Sequence, residues 1–308
     1  MKTYKHLIRF FFYFSIIHSL NSCSDNSQVT TNEPITPDEF TTGSGFFEFL
    51  GFQSLTIKTY YHIPISVTNN TPIVFVFHGA GRNAKDYRDA MIAKANQFNF
   101  IVIIPEFSIV NFPGGDGYNL GNVFIDGDNP SPSTLNPEDE WTFSVIEPLF
   151  DYIKQSLNNS TLKYHIFGHS AGGQFAHRFM MFKPSARFDK VVSSGSGWYT
   201  VPNLDINFPY GFKNSPLEGI SIENLFEKTL TIQIGELDND PNSAGLRHNQ
   251  FADVQGLNRL ERANHFFETA LQLSQENNFE LNWNLYINEG TAHDYLSASE
   301  SAANLIFN

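Results

Sequence analysis

Gly168-His169-Ser170-Ala171-Gly172-Gly173 follows the spacing Gly-x-Ser-x-Gly. The residues before it, 162–167, alternate in polarity and predict a buried strand, and 173–181 predict a helix. A serine on a sharp strand-to-helix turn carries its hydroxyl above the end of a sheet, where a reactant can reach it. Glycine at 168 and 172 is a steric requirement of such a turn, since a side chain there would strike the neighbouring strand or helix. Glycine and serine are common residues, so the spacing alone carries little. The weight falls on whether partners stand at the right places and in the right order.

Outward from this turn the chain alternates strands and helices. Residues 73–77 are a continuous apolar run, as in a parallel strand covered on both faces. Residues 83–98 predict a helix with Ala90, Ile92, Ala93 and Ala95 inward, and 100–104 a buried strand stopped by Pro105. Residues 140–157 predict a helix with Ile146, Leu149, Phe150, Ile153 and Leu157 on one face; Pro148 bends it or marks a late start. Strands follow at 190–194, 230–234 and 281–287, and helices at 260–277 and 295–307. Residues 55–61 alternate like an antiparallel edge strand. Such alternation means βαβ units: an α/β fold with a mostly parallel twisted sheet flanked by helices. Two long irregular segments, 106–139 and 197–228, leave the carboxyl ends of strands, the side on which open α/β sheets bind ligands. They are expected to form the walls and lid of a cleft.

Four elements around Ser170 fall in a meaningful order. His78-Gly79-Ala80-Gly81 follows the apolar strand directly. Ser170 comes second. Gly235-Glu236-Leu237-Asp238-Asn239-Asp240 then offers an acid, and Gly290-Thr291-Ala292-His293-Asp294 a histidine just past the last strand. The chain resembles the α/β-hydrolases, which keep the order serine, acid, histidine. Within them it is similar to the polyhydroxybutyrate depolymerase and feruloyl-esterase-like serine esterases, over roughly residues 73–293. The resemblance implies an α/β-hydrolase fold and a carboxylic ester hydrolase working through a Ser170, Asp238, His293 triad.

The chemistry accounts for each residue type. A serine hydroxyl is a weak nucleophile at neutral pH, so a neutral histidine must take its proton and an acid must orient that histidine. Two backbone N–H groups must face the developing oxyanion; Ala80 and Ala171 are the candidates. Asp238 is preferred to Asp240 and Glu236, because Gly-x-x-Asp sets the carboxylate one turn past the strand. His248 and His265 fall between strands. His177 is read as packing, His169 as supporting the turn, and His78 as a brace for its loop. Trp198 either lines the acyl pocket or packs in the core.

The chain of 308 residues is 41% hydrophobic and 17% charged, a globular composition with room for a large core. Its net charge of −13, with no basic cluster beyond the N-terminus, argues against nucleic acid as a partner. Lys2, Lys5 and Arg9 precede the apolar run 10–17, a signal-peptide pattern too short to span a bilayer. Leu20-Asn21-Ser22-Cys23 resembles the lipobox of bacterial lipoproteins, and Ser24-Asp25 the surface-export signal of Bacteroidota lipoproteins. The expected organisation is a lipoprotein signal peptide at 1–22, a flexible polar tether at 23–45 and a hydrolase domain at 46–308. Lipid on Cys23 would hold the exported chain to the outer membrane. Cys23 is the only cysteine, so no intrachain disulfide forms. The acidic loop 126–130 does not fit a calcium-binding hand, since Ser131 stands where glycine is needed and Pro137 at the twelfth position. No metal and no cofactor are expected. Two other readings remain open at this level: a serine peptidase of the same fold, and a non-catalytic surface lipoprotein that binds glycan or polymer.

Overall fold

The computed structural model describes residues 40–308. The signal segment, Cys23 and the tether up to residue 39 lie outside the described residues. Eight strands form one sheet: β1 (Gly43–Phe52), β2 (Leu55–Ile63), β3 (Ile73–Phe77), β4 (Ile101–Pro105), β5 (Tyr164–His169), β6 (Phe188–Ser194), β7 (Thr229–Gly235) and β8 (Trp283–Asn288). Their spatial order is β1-β2-β4-β3-β5-β6-β7-β8. The pairings of β1 with β2 and of β2 with β4 are antiparallel, and every pairing from β4 to β8 is parallel. The expected edge strand at 55–61 is the second strand. The true edge is β1, which begins at Gly43, so residues 43–45 of the expected tether are strand.

Period-two alternation divides the core. Ile73, Phe75 and Phe77 of β3 enter one apolar layer with helices α2 (Ile146–Leu157), α3 (Ala171–Phe182) and α5 (Arg259–Asn277). Val74 and Val76 enter the other, with α1 (Ala84–Phe98) and α6 (Tyr295–Phe307). A short α4 (Ile222–Phe226) lies inside the second irregular segment. The buried stripe of α1 is Ala84, Tyr87, Met91 and Ala95, with Ala93 exposed. The bulkier Tyr87 and Met91 set that face, rotating the helix away from the expected alanine-rich side. α2 starts late, at Ile146, after two short 3-10 turns, so Pro148 sits in its first turn, where proline costs no hydrogen bond.

The two irregular segments are packed rather than free. Phe107, Phe112, Tyr118, Val123 and Phe124 are buried in the first, and Trp198, Tyr199, Phe208 and Phe212 in the second. Phe124 and Phe208 join the two, with ring centroids 5.4 Å apart. A third segment, 236–258, interlocks with both: Arg247 pairs with Asp128 at 2.5 Å and bonds the Tyr210 hydroxyl at 3.1 Å.

Candidate active site

At the centre of the sheet β5 runs between β3 and β6 and ends at His169. Ser170 then takes φ 59°, ψ −118°, a left-handed backbone rare for a residue with a side chain, and Ala171 opens α3. The strained turn is held on both sides: the Ser170 N–H donates to the Ser194 carbonyl at 2.8 Å, and the Gln174 N–H to the Ser170 carbonyl at 3.0 Å. The glycine requirement is steric, as expected. A Cβ at Gly168 would strike the Gly172 carbonyl, and one at Gly172 the Phe77 carbonyl. Among the described residues the Ser170 hydroxyl has no hydrogen-bond partner, which leaves it free for a reactant.

The loop after β3 lies against this turn. A methyl group at Gly79 would stand 3.7 Å from Ser170 Cβ. His78 braces the loop, as expected. Its Nε2 accepts the Phe107 N–H at 3.1 Å, so Nδ1 carries the proton and donates to the Gly79 carbonyl at 3.0 Å. The Tyr118 hydroxyl donates to the His78 carbonyl at 2.6 Å. Burial pushes the His78 imidazole down from 6.5 to about 4, so it stays neutral. Ala80 and Ala171 face one cavity of about 320 Å³, with Tyr118, Asn119, Ile109 and Arg82 on its walls. Among the described residues, Arg82 is the single charged side chain lining it. Its guanidinium lies over the Tyr118 ring at 4.3 Å and donates to the carbonyls of Phe107, Phe112 and Gly114.

The acid and the histidine meet across the ends of β7 and β8. His293 Nδ1 stands 2.7 Å from Asp238 Oδ2. The carboxylate only accepts, so Nδ1 donates and Nε2 is left free as a proton acceptor, the tautomer a general base needs. Asp238 is 5% exposed, whereas Asp240 and Glu236 are exposed and spend their carboxylates on the N–H groups of Asn242 and Gly290. His169 packs its ring on His293, centroids 4.6 Å apart. Burial, and then the neighbouring His293 and Arg259, push His169 well below the usual histidine range, so it is a neutral neighbour.

The other histidines are placed elsewhere. His177 is fully buried on α3, bonded to the Gly173 carbonyl and packed on Tyr199 and Phe266. His248 bonds Asp253 and the Pro241 carbonyl. Trp198 lines no wall of the Ala80–Ala171 cavity. It is 3% exposed, with the Arg178 guanidinium over its ring at 4.1 Å and Arg247 at 5.0 Å, so the structure gives it a packing role.

One contact was not foreseen from the sequence. Arg259, the first residue of α5, reaches Asp238 Oδ1 at 3.3 Å, both side chains 4% exposed. Breaking a buried pair by removing one partner typically costs about 3–5 kcal/mol. The only cue in the sequence is that an arginine in the first turn of a helix opposes the helix dipole.

No protein-family model matches the chain, and no curated protein matches it. Solved structures do. Poly(aspartic acid) hydrolase-1 from Sphingomonas sp. KT-1 is 37% identical, with a TM-score of 0.82, over 87% of this chain and 100% of that one. This chain belongs to the α/β-hydrolase family. A second hydrolase of the family, LpqC, a poly(3-hydroxybutyrate) depolymerase from Bordetella parapertussis, is 28% identical with a TM-score of 0.78, over 87% of this chain and 90% of that one. An S-formylglutathione hydrolase from Agrobacterium tumefaciens, at 16% identity and a TM-score of 0.53 over 85% and 92%, shares the fold.

The buried neutral His78 makes this hydrolase sensitive to acid. Its value in the folded chain lies below the ordinary 6.5, so its contribution is complete above that pH and is lost as pH falls toward about 4. His169 and His177 act in the same direction. Thermal unfolding followed from pH 7 to pH 4 should show a steep loss of stability, of which His78 supplies about 3 kcal/mol. His78→Gln should be less stable at pH 7 but show a slope shallower by that amount; an unchanged slope would refute the assignment.

Proposed function

We propose that the chain is a serine esterase that cleaves carboxylic esters through an acyl-enzyme. The observation that carries this reading is the Asp238–His293 hydrogen bond of 2.7 Å beside an unengaged Ser170 on a strained turn. His293 Nε2 takes the Ser170 proton as Oγ attacks the ester carbon. Asp238 holds the imidazole in the accepting tautomer and stabilises its charged form. The Ala80 and Ala171 N–H groups stabilise the oxyanion, each donor contributing about 3–4 kcal/mol. The alcohol leaves with the proton from His293. Water, deprotonated by the same histidine, then cleaves the acyl-serine and restores the enzyme. The hydrogen bond from Ser170 Oγ to His293 Nε2 forms when substrate fills the site, as is common where the empty site is loose.

A fluorophosphonate probe should label the wild type and spare Ser170→Ala, which should lose on the order of 10⁶ in kcat. Equal labelling of the two proteins would refute the mechanism. Turnover-free binding that survives Ser170→Ala would point to a non-catalytic binding protein, and cleavage of aminoacyl-arylamides without aryl esters to a peptidase.

For the substrate we infer extracellular acylated glycans or polyesters, on the strength of the signal-peptide pattern expected at residues 1–22 and the kinship with a poly(3-hydroxybutyrate) depolymerase. A second reading is an amide polymer carrying carboxylates. It is favoured by Arg82, an unneutralised cation on the cavity wall, and by the kinship with a poly(aspartic acid) hydrolase. A panel of neutral aryl esters, hemisuccinate aryl esters and poly(aspartic acid) separates them. The ester reading predicts that kcat/KM is highest on neutral esters; preference for the anionic members by tenfold or so would replace it.

Cys23 is proposed as the lipid-bearing N-terminus that holds the exported enzyme to the outer membrane, on its periplasmic or outer face. Palmitate supplied to cells expressing the full chain should label it, and Cys23→Ala should abolish the label. Labelling that persists in Cys23→Ala would overturn the anchor.

A further inference from the structure

Asp238 has two carboxylate oxygens and two partners. Oδ2 faces His293 Nδ1 at 2.7 Å; Oδ1 faces the Arg259 guanidinium at 3.3 Å. Among the described residues no other basic group reaches this carboxylate, and Arg259 reaches no other acid. The arginine is itself secured from the segment after β7: it donates to Ser243 Oγ at 2.6 Å and, more weakly, to the Ala244 carbonyl at 3.5 Å. Its Nε is buried with no partner. A cation at this position is unfavourable twice over, because it sits at the positive end of α5 and has lost its water. A residue placed so poorly for its own helix is explained by what it does for its neighbour.

We infer that Arg259 is a positioning residue for the reaction. It holds the Asp238 carboxylate from the Oδ1 side, so that Oδ2 is presented to His293, and it ties that carboxylate to the segment carrying Ser243 and Ala244. A carboxylate turns readily about its last bond. With Oδ1 unpaired in a buried site, the group would rotate or draw in water to recover the lost hydrogen bond, and His293 would lose its fixed orientation. The inference rests on Asp238 and His293 being the acid and base of the proposed mechanism.

The test is a double-mutant cycle on the full chain with an aryl ester, comparing wild type, Arg259→Met, Asp238→Asn and the double variant, with melting temperatures in parallel. Arg259→Met should lower kcat on the order of 10- to 100-fold, with KM within about twofold, because orientation is lost and binding is not. In the Asp238→Asn background the same change should have almost no further effect on kcat, since the carboxylate it orients is gone. Arg259→Lys should recover most of the loss, because the contact uses a single nitrogen. If Arg259→Met does not fold, Ser243→Ala, which removes the 2.6 Å bond holding the guanidinium, should still lower kcat several-fold at unchanged KM. Full kcat in Arg259→Met, or an equal loss in both backgrounds, would overturn the inference. Full kcat in Asp238→Asn would instead overturn the acid assignment beneath it, a result read from a different protein.

Discussion

The close approach of three backbones at the end of β5 governs the rest of the site. Ser170 is held at a positive φ that costs roughly 1–3 kcal/mol. The turn survives because α3 cannot move away: every one of its twelve residues is buried, and Phe175 and Phe179 stack within the core. Burial of a single such ring contributes about 1.5–3 kcal/mol, so the helix offsets the strain several times over. The same approach presses Gly172 onto the Phe77 carbonyl and Gly79 against Ser170, which brings Ala80 and Ala171 to one cavity. Strain at the serine and the meeting of Ala80 and Ala171 at one cavity are therefore one geometric fact.

The polar groups around this junction follow from backbone accounting. Leaving the sheet, the chain must satisfy buried N–H and C=O groups that no strand pairs. His78 satisfies two, donating at Nδ1 to the Gly79 carbonyl and accepting at Nε2 from the Phe107 N–H. Only a neutral imidazole does both, and burial keeps it neutral. His293 differs because its side chain is a quarter exposed and its one fixed bond is to a carboxylate. The fold thus uses imidazole as a brace where it is dry and, where it is open, leaves Nε2 without a hydrogen-bond partner among the described residues.

Local signals made much of this legible. The turn at Ser170, the loop at His78, Asp238 and His293 each sit at the end of an apolar run, and strand ends can be read from sequence. Asp238 stands apart from Asp240 by its burial and its bond to His293, at the place one turn past the strand that the Gly-x-x-Asp spacing marks. What escaped depends on distant partners. β1 begins inside a polar stretch, and Phe46 on it is 57% exposed, so its alternation carries little apolar signal. The inward face of α1 was set by what Tyr87 and Met91 meet, which periodicity among alanines could not show. Arg259 is paired with a residue 21 positions earlier, and Arg247 with Asp128 119 positions away.

The irregular segments were expected to act as walls and lid, and the packing separates those roles. The ion pair of Arg247 with Asp128 is partly exposed and by itself worth about 1 kcal/mol or less. The aromatic side chains beneath it are different. Trp198, Tyr199, Phe208 and Phe212 are all buried, with Tyr199 stacked on Phe266 of α5 at 4.5 Å. Each ring removes roughly 150–250 Å² from water, so exposing all four would cost on the order of 15 kcal/mol. That equals or exceeds the whole stability of an ordinary domain. Residues 197–212 are therefore fixed packing rather than a lid, and any movement here has to come from the surface ties above them, such as Arg247 with Asp128, rather than from the segment as a body.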